Sequence, residues 1–226
     1  MRITLALSAR TAGGTASSRR FPVEIWRNPV SSAPAERATQ AKRADARRNI
    51  AAILDAAQEC LIADPDANIT QIAERAGVGR VTLYGHFASR AELVDAVFTR
   101  VVVDSDRILD GVDLEGDPRA ALRRLVAASW KIVDRYRSLL SAAQDHIPAE
   151  RIRAAHDMPL RRVERLIERG RECGVFRDDF PVPWMVTVYY SVIHGAAEEI
   201  AAGRLTDAHA TDLITATLLA TYAAPE

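Results

Sequence analysis

The chain has 226 residues, of which 48% are hydrophobic and 27% are charged, so it can bury a core and is not disordered overall. Thirty basic residues balance thirty acidic ones, and a net charge of +0 argues against a protein that coats nucleic acid indiscriminately. A local basic stretch at 36–50 remains. No apolar run approaches the ~18 residues that cross a bilayer. Cys60 and Cys173 are predicted to be reduced thiols of a cytoplasmic protein.

The first 35 residues show no sustained hydrophobic period. They contain several Gly, Ser and Pro residues, which interrupt helices and strands. We therefore interpret 1–35 as a flexible extension. A start codon assigned too far upstream is an open alternative.

From Asp45 the pattern becomes helical. Apolar residues recur every three or four positions and form one face, comprising Ile50, Ile53, Leu54, Ala57 and Leu61. The segment 64–66, Asp-Pro-Asp, ends this helix. The sequence therefore predicts a first amphipathic helix over about 45–63.

Two short helices and a long one come next in the chain. Thr70 offers an N-cap for a helix through Ala76, and a tight turn at 77–79, Gly-Val-Gly, leads into a helix over 80–87. Residues 89–92, Ser-Arg-Ala-Glu, fit a capping box that opens the long helix.

The remainder of the chain is also predicted to be helical. Four prolines open further helical periods, at Pro118, Pro148, Pro159 and Pro183. No convincing strand alternation occurs anywhere. The sequence therefore predicts an all-α fold of about nine helices.

The two short helices around Gly77 fit a helix-turn-helix. Apolar residues can lock the pair together, namely Ile72, Ala73, Val78, Leu83 and Phe87. The second helix turns hydrogen-bonding side chains outward, which a helix packed only in a core would not carry; they are Arg80, Thr82, Tyr84 and His86. Because the second helix of this motif enters the DNA major groove, the pattern predicts binding to double-stranded DNA.

The array from Arg43 to about Val97 resembles the tetracycline-repressor (TetR) family of bacterial regulators. The matching residues are Arg47, Arg48, 53–57 (Ile-Leu-Asp-Ala-Ala), Ile72, Ala73, 76–78 (Ala-Gly-Val), 82–84 (Thr-Leu-Tyr), His86, Phe87, Arg90, Glu92 and Leu93. Gly85 departs from the pattern, since the family often has a larger residue there. The resemblance implies an all-helical second domain, dimerisation through the last two helices and a ligand pocket in that domain.

These observations give three predicted segments: the flexible extension at 1–35, a helix-turn-helix DNA-binding domain at 36–98, and a ligand-binding and dimerisation domain at 99–226. We expect a homodimeric transcriptional regulator, a repressor released from a palindromic operator by an unidentified small molecule. No catalysis, cofactor or membrane partner is expected. Two alternatives stay open: an activator of the same fold, and a small helical enzyme or binding protein whose helix-turn-helix is only a scaffold.

The predicted DNA contacts are Arg47, Thr70, Arg80, Val81, Thr82, Tyr84, His86 and Arg90. Arg80 is expected to read a base, because arginine pairs bidentately with guanine. Thr70 and Arg90 are expected to bind phosphate, since they lie at helix N-termini. Arg47, Tyr84 and His86 are assigned the same role.

The predicted ligand-binding residues are Trp130, Tyr136, His156 and Tyr189. His194 and Glu198 lie one turn apart, but a third ligand is not evident, so no metal is expected.

Overall fold

The computed structural model describes residues 33–224, with side chains from residue 39 onward. The helices of this range are α1 (Ala33–Ala63), α2 (Ile69–Arg75), α3 (Arg80–His86), α4 (Arg90–Asp110), α5 (Pro118–His146), α6 (Ala149–Ala155), α7 (Asp157–Glu172), α8 (Val182–Ala201) and α9 (Asp207–Tyr222). The only β pairing in this range is an isolated bridge between Phe176 and Ala223. The prediction of an all-α fold with about nine helices is confirmed.

The start of the first helix differs from its predicted position. α1 begins at Ala33 rather than at Asp45. The segment 33–44 lacks an apolar period, but it is rich in Ala, Arg, Lys, Glu and Gln, which favour helix intrinsically. Most of the predicted flexible extension, residues 1–32, lies outside the described residues.

The chain divides into two compact units, residues 1–41 and residues 42–226. Within the second unit, one buried cluster joins α1–α4 to the end of α5 and to α6, through residues such as Ile53, Leu83, Val97, Leu139 and Ile152. The domain boundary predicted near residue 98 is therefore crossed by a continuous apolar core, and it stays a prediction.

A second buried cluster joins the start of α5 to α7, α8 and α9. α4 contributes to both clusters, with Val97 in the first and Leu109 in the second. Arg162 of α7, which is 6% exposed, adds ion pairs to α4: it donates to Asp106 over 2.9 Å and also pairs with Asp110. The 21-residue α4 is thus held along its whole length. None of the helices within 33–224 combines the length and apolarity that a membrane span requires.

Candidate nucleic-acid interface and ligand cavity

The N-terminus of α2 is capped by Asn68. Its Oδ1 accepts hydrogen bonds from the backbone N–H groups of Thr70 (2.9 Å) and Gln71 (3.1 Å), and Gln71 Oε1 accepts from the N–H of Asn68 (2.7 Å). This is a capping box, so the predicted N-cap at Thr70 is wrong by two residues. Asn is as good an N-cap as Thr, and Gln71 at the third helical position selects Asn68 because it completes the reciprocal bond.

The turn between α2 and α3 has the geometry that its glycine predicts. Gly77 has φ +69°, a left-handed conformation that residues with a Cβ adopt rarely. The N–H of Gly77 donates to Glu74 O (3.1 Å) and that of Val78 to Ala73 O (3.0 Å), which together form a Schellman motif. The turn therefore ends α2 sharply and directs the chain into α3.

One face of α3 is anchored and the other is free. Leu83 is 0% exposed against the buried Ile72 and Ala73 of the same cluster. The other face presents exposed residues to solvent, namely Arg80, Val81, Thr82 and Tyr84, while His86 is half-buried. The structure therefore brings most of the predicted DNA contacts together on the outer face of α3.

Thr70, Arg80, Tyr84 and Arg90 also line one open concavity of about 550 Å³. Asp145 and His146, at the end of α5, line it as well. Arg47 is exposed on α1 and is not part of this lining.

Arg90 is committed to contacts within the fold. Its NH2 group donates to Pro65 O over 2.8 Å, its NH1 group donates to Ala67 O, and its Nε donates to His146 Nε2. Ser89 caps α4 as predicted, with Oγ accepting from the N–H of Glu92 over 3.1 Å. The guanidinium thus joins the loop before α2 to the start of α4, and the phosphate contact expected of Arg90 stays a prediction.

A cavity of about 100 Å³ lies among α4, α5, α7 and α8. Apolar side chains form most of its wall, including Phe98 and Val101 of α4. The predicted ligand-binding residues Tyr136, His156 and Tyr189 line it. Trp130 does not, since it is 3% exposed in the second cluster. Its neighbour Ser129 faces the cavity, and successive helical residues point about 100° apart, so Trp130 turns away.

Three polar rings meet at one part of the cavity wall. His156 lies 5.2 Å from Tyr190 and 5.5 Å from His194, and Tyr190 lies 4.3 Å from His194, measured between ring centroids. Burial lowers the pKa of His194 to about 3, with the neighbouring His156 adding to the shift, and burial also lowers the pKa of His156. Both imidazoles are therefore neutral at physiological pH.

Sequence reasoning did not assign Tyr190 or His194 to the ligand site. Their spacing of four residues on one helix is a signal that they share a face. Their meeting with His156 depends on the packing of α8 against other helices, which spacing does not reveal. Tyr189 is held separately, because its hydroxyl donates to Ser129 Oγ over 2.9 Å.

Comparison with known proteins finds sequence similarity in the region of the helix-turn-helix. The model of the family described as bacterial regulatory proteins, tetR family, matches residues 53–97. The uncharacterized HTH-type transcriptional regulator TtgW of Pseudomonas putida is 43% identical over 56 residues, which are 24% of this chain and 42% of that relative. The match therefore spans less than half of the relative's length.

Solved structures match the fold over most of the chain. LfrR from Mycobacterium smegmatis, in complex with proflavine, is 25% identical with a TM-score of 0.57, covering 77% of this chain and 96% of that one. FadR from Bacillus subtilis, in complex with stearoyl-CoA, is 15% identical with a TM-score of 0.62, covering 75% and 97%. A TetR family regulator from Marinobacter aquaeolei VT8 is 20% identical with a TM-score of 0.58, covering 80% and 98%. The family-model match is therefore confined to 53–97, around the helix-turn-helix, and the solved structures extend the likeness to the fold of most of the chain.

Proposed function

We propose that this chain is a DNA-binding transcriptional regulator, a repressor that binds a palindromic operator as a homodimer and is released by a small molecule. The observation that carries the proposal is the outer face of α3, where exposed side chains surround a helix anchored by the buried Leu83. The protein would act in the cytoplasm on chromosomal DNA and would catalyse no reaction.

The composition of this face suits a DNA groove. Val81 is 87% exposed, and an apolar side chain at that position can contact the methyl group of a thymine. Arg80 is the first residue of α3, close to where side chains of a recognition helix reach base edges. α3 contains no acidic residue that would repel phosphate. These features together support base contact rather than a scaffold role for the helix.

The dimer proposal rests on α8 and α9. Besides the apolar face that each helix buries within the protomer, both carry apolar residues at solvent-facing positions. Trp184 is 55% exposed and Leu213 is 49% exposed. Near them, the solvent-facing positions of α9 include Ala216 and Ala220, and a Cβ built at Gly195 of α8 meets no atom within 4 Å. Exposed large apolar residues beside small ones favour close packing of helices from a second copy.

Ligand release requires a route from the cavity to α3, and α4 supplies one. Its first half packs Leu93 and Val97 into the cluster that holds α3, and its second half lines the cavity with Val101 and Ser105. A ligand that binds one position of α4 better than another shifts the equilibrium between them. Solved relatives of the same fold hold proflavine or stearoyl-CoA, which supports a small-molecule effector for this chain.

The test is DNA binding by the full-length chain, measured by fluorescence anisotropy on the DNA that flanks its own gene and on random duplexes. Footprinting should show a near-palindrome, because a two-fold dimer presents two recognition helices to matching half-sites. The control variant Arg107→Ala changes an exposed arginine near the far end of α4 and should bind normally. A single asymmetric half-site bound by a monomer, or equal affinity for random and flanking DNA, would contradict the proposal.

A further inference from the structure

The cavity among α4, α5, α7 and α8 has a composition that restricts its ligand. None of its lining residues is an Asp, Glu, Lys or Arg. A charged ligand would therefore lose its hydration without gaining a counter-charge in the wall, which is strongly unfavourable. The volume of about 100 Å³ is of the same order as the roughly 150 Å³ of an apolar cavity that accepts benzene. The cavity therefore fits a neutral molecule no larger than about one aromatic ring.

Aromatic side chains form a continuous part of the wall. Phe98 lies 5.8 Å from His156, and His156 meets Tyr190 at an interplanar angle of 78°, an edge-to-face arrangement. Aromatic rings favour such edge and offset contacts with further rings. The guanidinium of Arg153 lies 5.0 Å from the centre of the Tyr190 ring, but Arg153 is not part of the cavity lining. The wall therefore favours an aromatic ligand over a flexible chain.

The unpaired nitrogen atoms of two histidines in the cavity wall indicate which polar group a ligand needs. His156 Nδ1 lies 2.8 Å from Ile152 O, and because a carbonyl oxygen only accepts, Nδ1 carries the proton. The neutral ring then has a bare lone pair on Nε2, an acceptor that no described residue satisfies. Beside it, His194 Nδ1 is buried and has no hydrogen-bond partner among the described residues. The cavity thus has unused polar capacity at this corner, with at least one acceptor.

We propose that the effector is an uncharged aromatic hydroxy compound of about one ring, whose O–H donates to His156 Nε2. The inference rests on the proposed function, since it names the ligand class of the same regulatory cavity. The lowered pKa values of His156 and His194 agree with it, because neutral imidazoles accept a hydrogen bond from a hydroxyl but do not attract a carboxylate. A hydroxyl also both donates and accepts, so it can approach the second imidazole in either tautomer.

The test is titration calorimetry of the full-length chain at neutral pH with four probes that share one ring: para-cresol, toluene, para-methylbenzylammonium and para-toluate. Para-cresol should bind about threefold to tenfold more tightly than toluene, the gain of one net hydrogen bond. The two ions should bind more weakly than toluene. Equal affinity for para-cresol and toluene, tighter binding of either ion, or no binding of any probe overturns the proposal.

A variant identifies the acceptor. His156→Phe keeps an aromatic ring but removes Nε2, so the preference for para-cresol over toluene should fall to about one. The matched control Ile132→Val changes the shape of the same cavity without touching a polar group, and it should alter both affinities together. A preference that survives in folded His156→Phe overturns the assignment. If that variant fails to fold, the four-probe series on the unaltered chain still decides the ligand class.

The same samples separate this inference from the proposed function. Direct binding of para-cresol is measured without DNA, and operator binding is measured without para-cresol. If the chain prefers para-cresol but binds no operator, the ligand class stands and the regulatory function fails. If the chain binds its operator but does not distinguish para-cresol from toluene, the regulator stands and the ligand class fails.

Discussion

Arg90 Nε donates to His146 Nε2 over 2.8 Å, which joins the first residue of α4 to the last residue of α5. The same guanidinium donates to the carbonyl oxygens of Pro65 and Ala67 in the loop before α2. Three of its five N–H groups are therefore used inside the fold. Since these bonds hold the loop before α2 in place, we expect Arg90 to act on DNA affinity through structure rather than through phosphate.

Replacing Arg90 should therefore cost stability more than it changes salt dependence. Arg90→Lys keeps the charge but loses the planar fork, and Arg90→Ala loses both. Both variants should lower the free energy of unfolding in urea by about 1–3 kcal/mol, because partly buried acceptors lose their donors. The salt slope of DNA binding should stay unchanged for both. For comparison, Arg47→Ala, which removes an exposed arginine, should reduce that slope by about one unit. If Arg90→Ala reduces the slope by the same amount and leaves stability intact, Arg90 contacts phosphate after all.

Arg80 should contribute to sequence discrimination. It is exposed at the start of α3 and makes no hydrogen bond or ion pair with another described residue, so its guanidinium is available to a guanine edge. Arg80→Ala should cost roughly 1–3 kcal/mol on the cognate operator and relax specificity at one base position. Competition binding against operators with single-base changes measures both effects. An equal loss on cognate and random DNA would assign Arg80 to the phosphate backbone instead.

The sequence predicted the helix-turn-helix in detail because its determinants are local. The turn requires a left-handed backbone, which Gly77 permits, and Ser89 with Glu92 specifies the start of α4 within a few residues. Contacts between residues that are distant in sequence could not be predicted in this way. The partner of Arg90, His146, lies 56 residues away, and His156, at the junction of α6 and α7, meets Tyr190 of α8 only after these helices pack. Trp130 was predicted to be a ligand-binding residue as an aromatic on the long helix after Pro118; it lies one residue after Ser129 and packs in the core, so its role towards a ligand stays a prediction.

Substitution of Gly195 tests the dimer, because an added methyl group should stabilise an isolated protomer but weaken a dimer that packs through α8. In the isolated protomer an added Cβ meets nothing within 4 Å, so Gly195→Ala should gain up to about 1 kcal/mol of helix propensity. If α8 packs closely against a second copy, the methyl group should instead weaken association, and Gly195→Glu should abolish it. Sedimentation over a concentration series gives the dimer dissociation constant. The control Ser141→Glu adds the same charge on the exposed face of α5 and should leave dimerisation unchanged. Dimers that tolerate Gly195→Glu would place the interface elsewhere.

The buried His194 should make stability depend on pH. Its pKa is near 6.5 when unfolded and about 3 in the fold, where burial and the neighbouring His156 disfavour the charged ring. Below pH 6.5 the unfolded chain binds a proton that the folded chain refuses, so stability is full above that pH and falls as pH decreases towards 3. Between about pH 7.5 and 5, before carboxylates titrate, His194 should account for roughly 1–2 kcal/mol of lost unfolding free energy.

Urea denaturation of His194→Phe across that range should show a flatter pH dependence than the unaltered chain. Tyr190→Phe is the matched control: burial raises the pKa of Tyr190 above its ordinary value of 10.0, so the lost hydroxyl does not titrate in this window. If His194→Phe and the unaltered chain lose stability in parallel, the imidazole is accessible to protons in the fold and the cavity is more open than the geometry indicates.

Effector and operator should oppose each other by equal factors. α4 carries Val97 in the cluster that anchors α3 and Val101 in the cavity wall, so one helix connects the two proposed sites. A coupling free energy of about 1–3 kcal/mol would weaken operator binding by roughly 5- to 150-fold when effector is bound. Because linkage is reciprocal, saturating operator should weaken effector binding by the same factor.

A variant chain that keeps only Trp130 of the three tryptophans gives a fluorescence readout, since its neighbour Ser129 lines the cavity. Titration of this chain with and without operator measures both affinities. An effector that binds tightly but with identical affinity in both cases would be a ligand of the protein without being its regulator, because equal affinity for two states shifts neither.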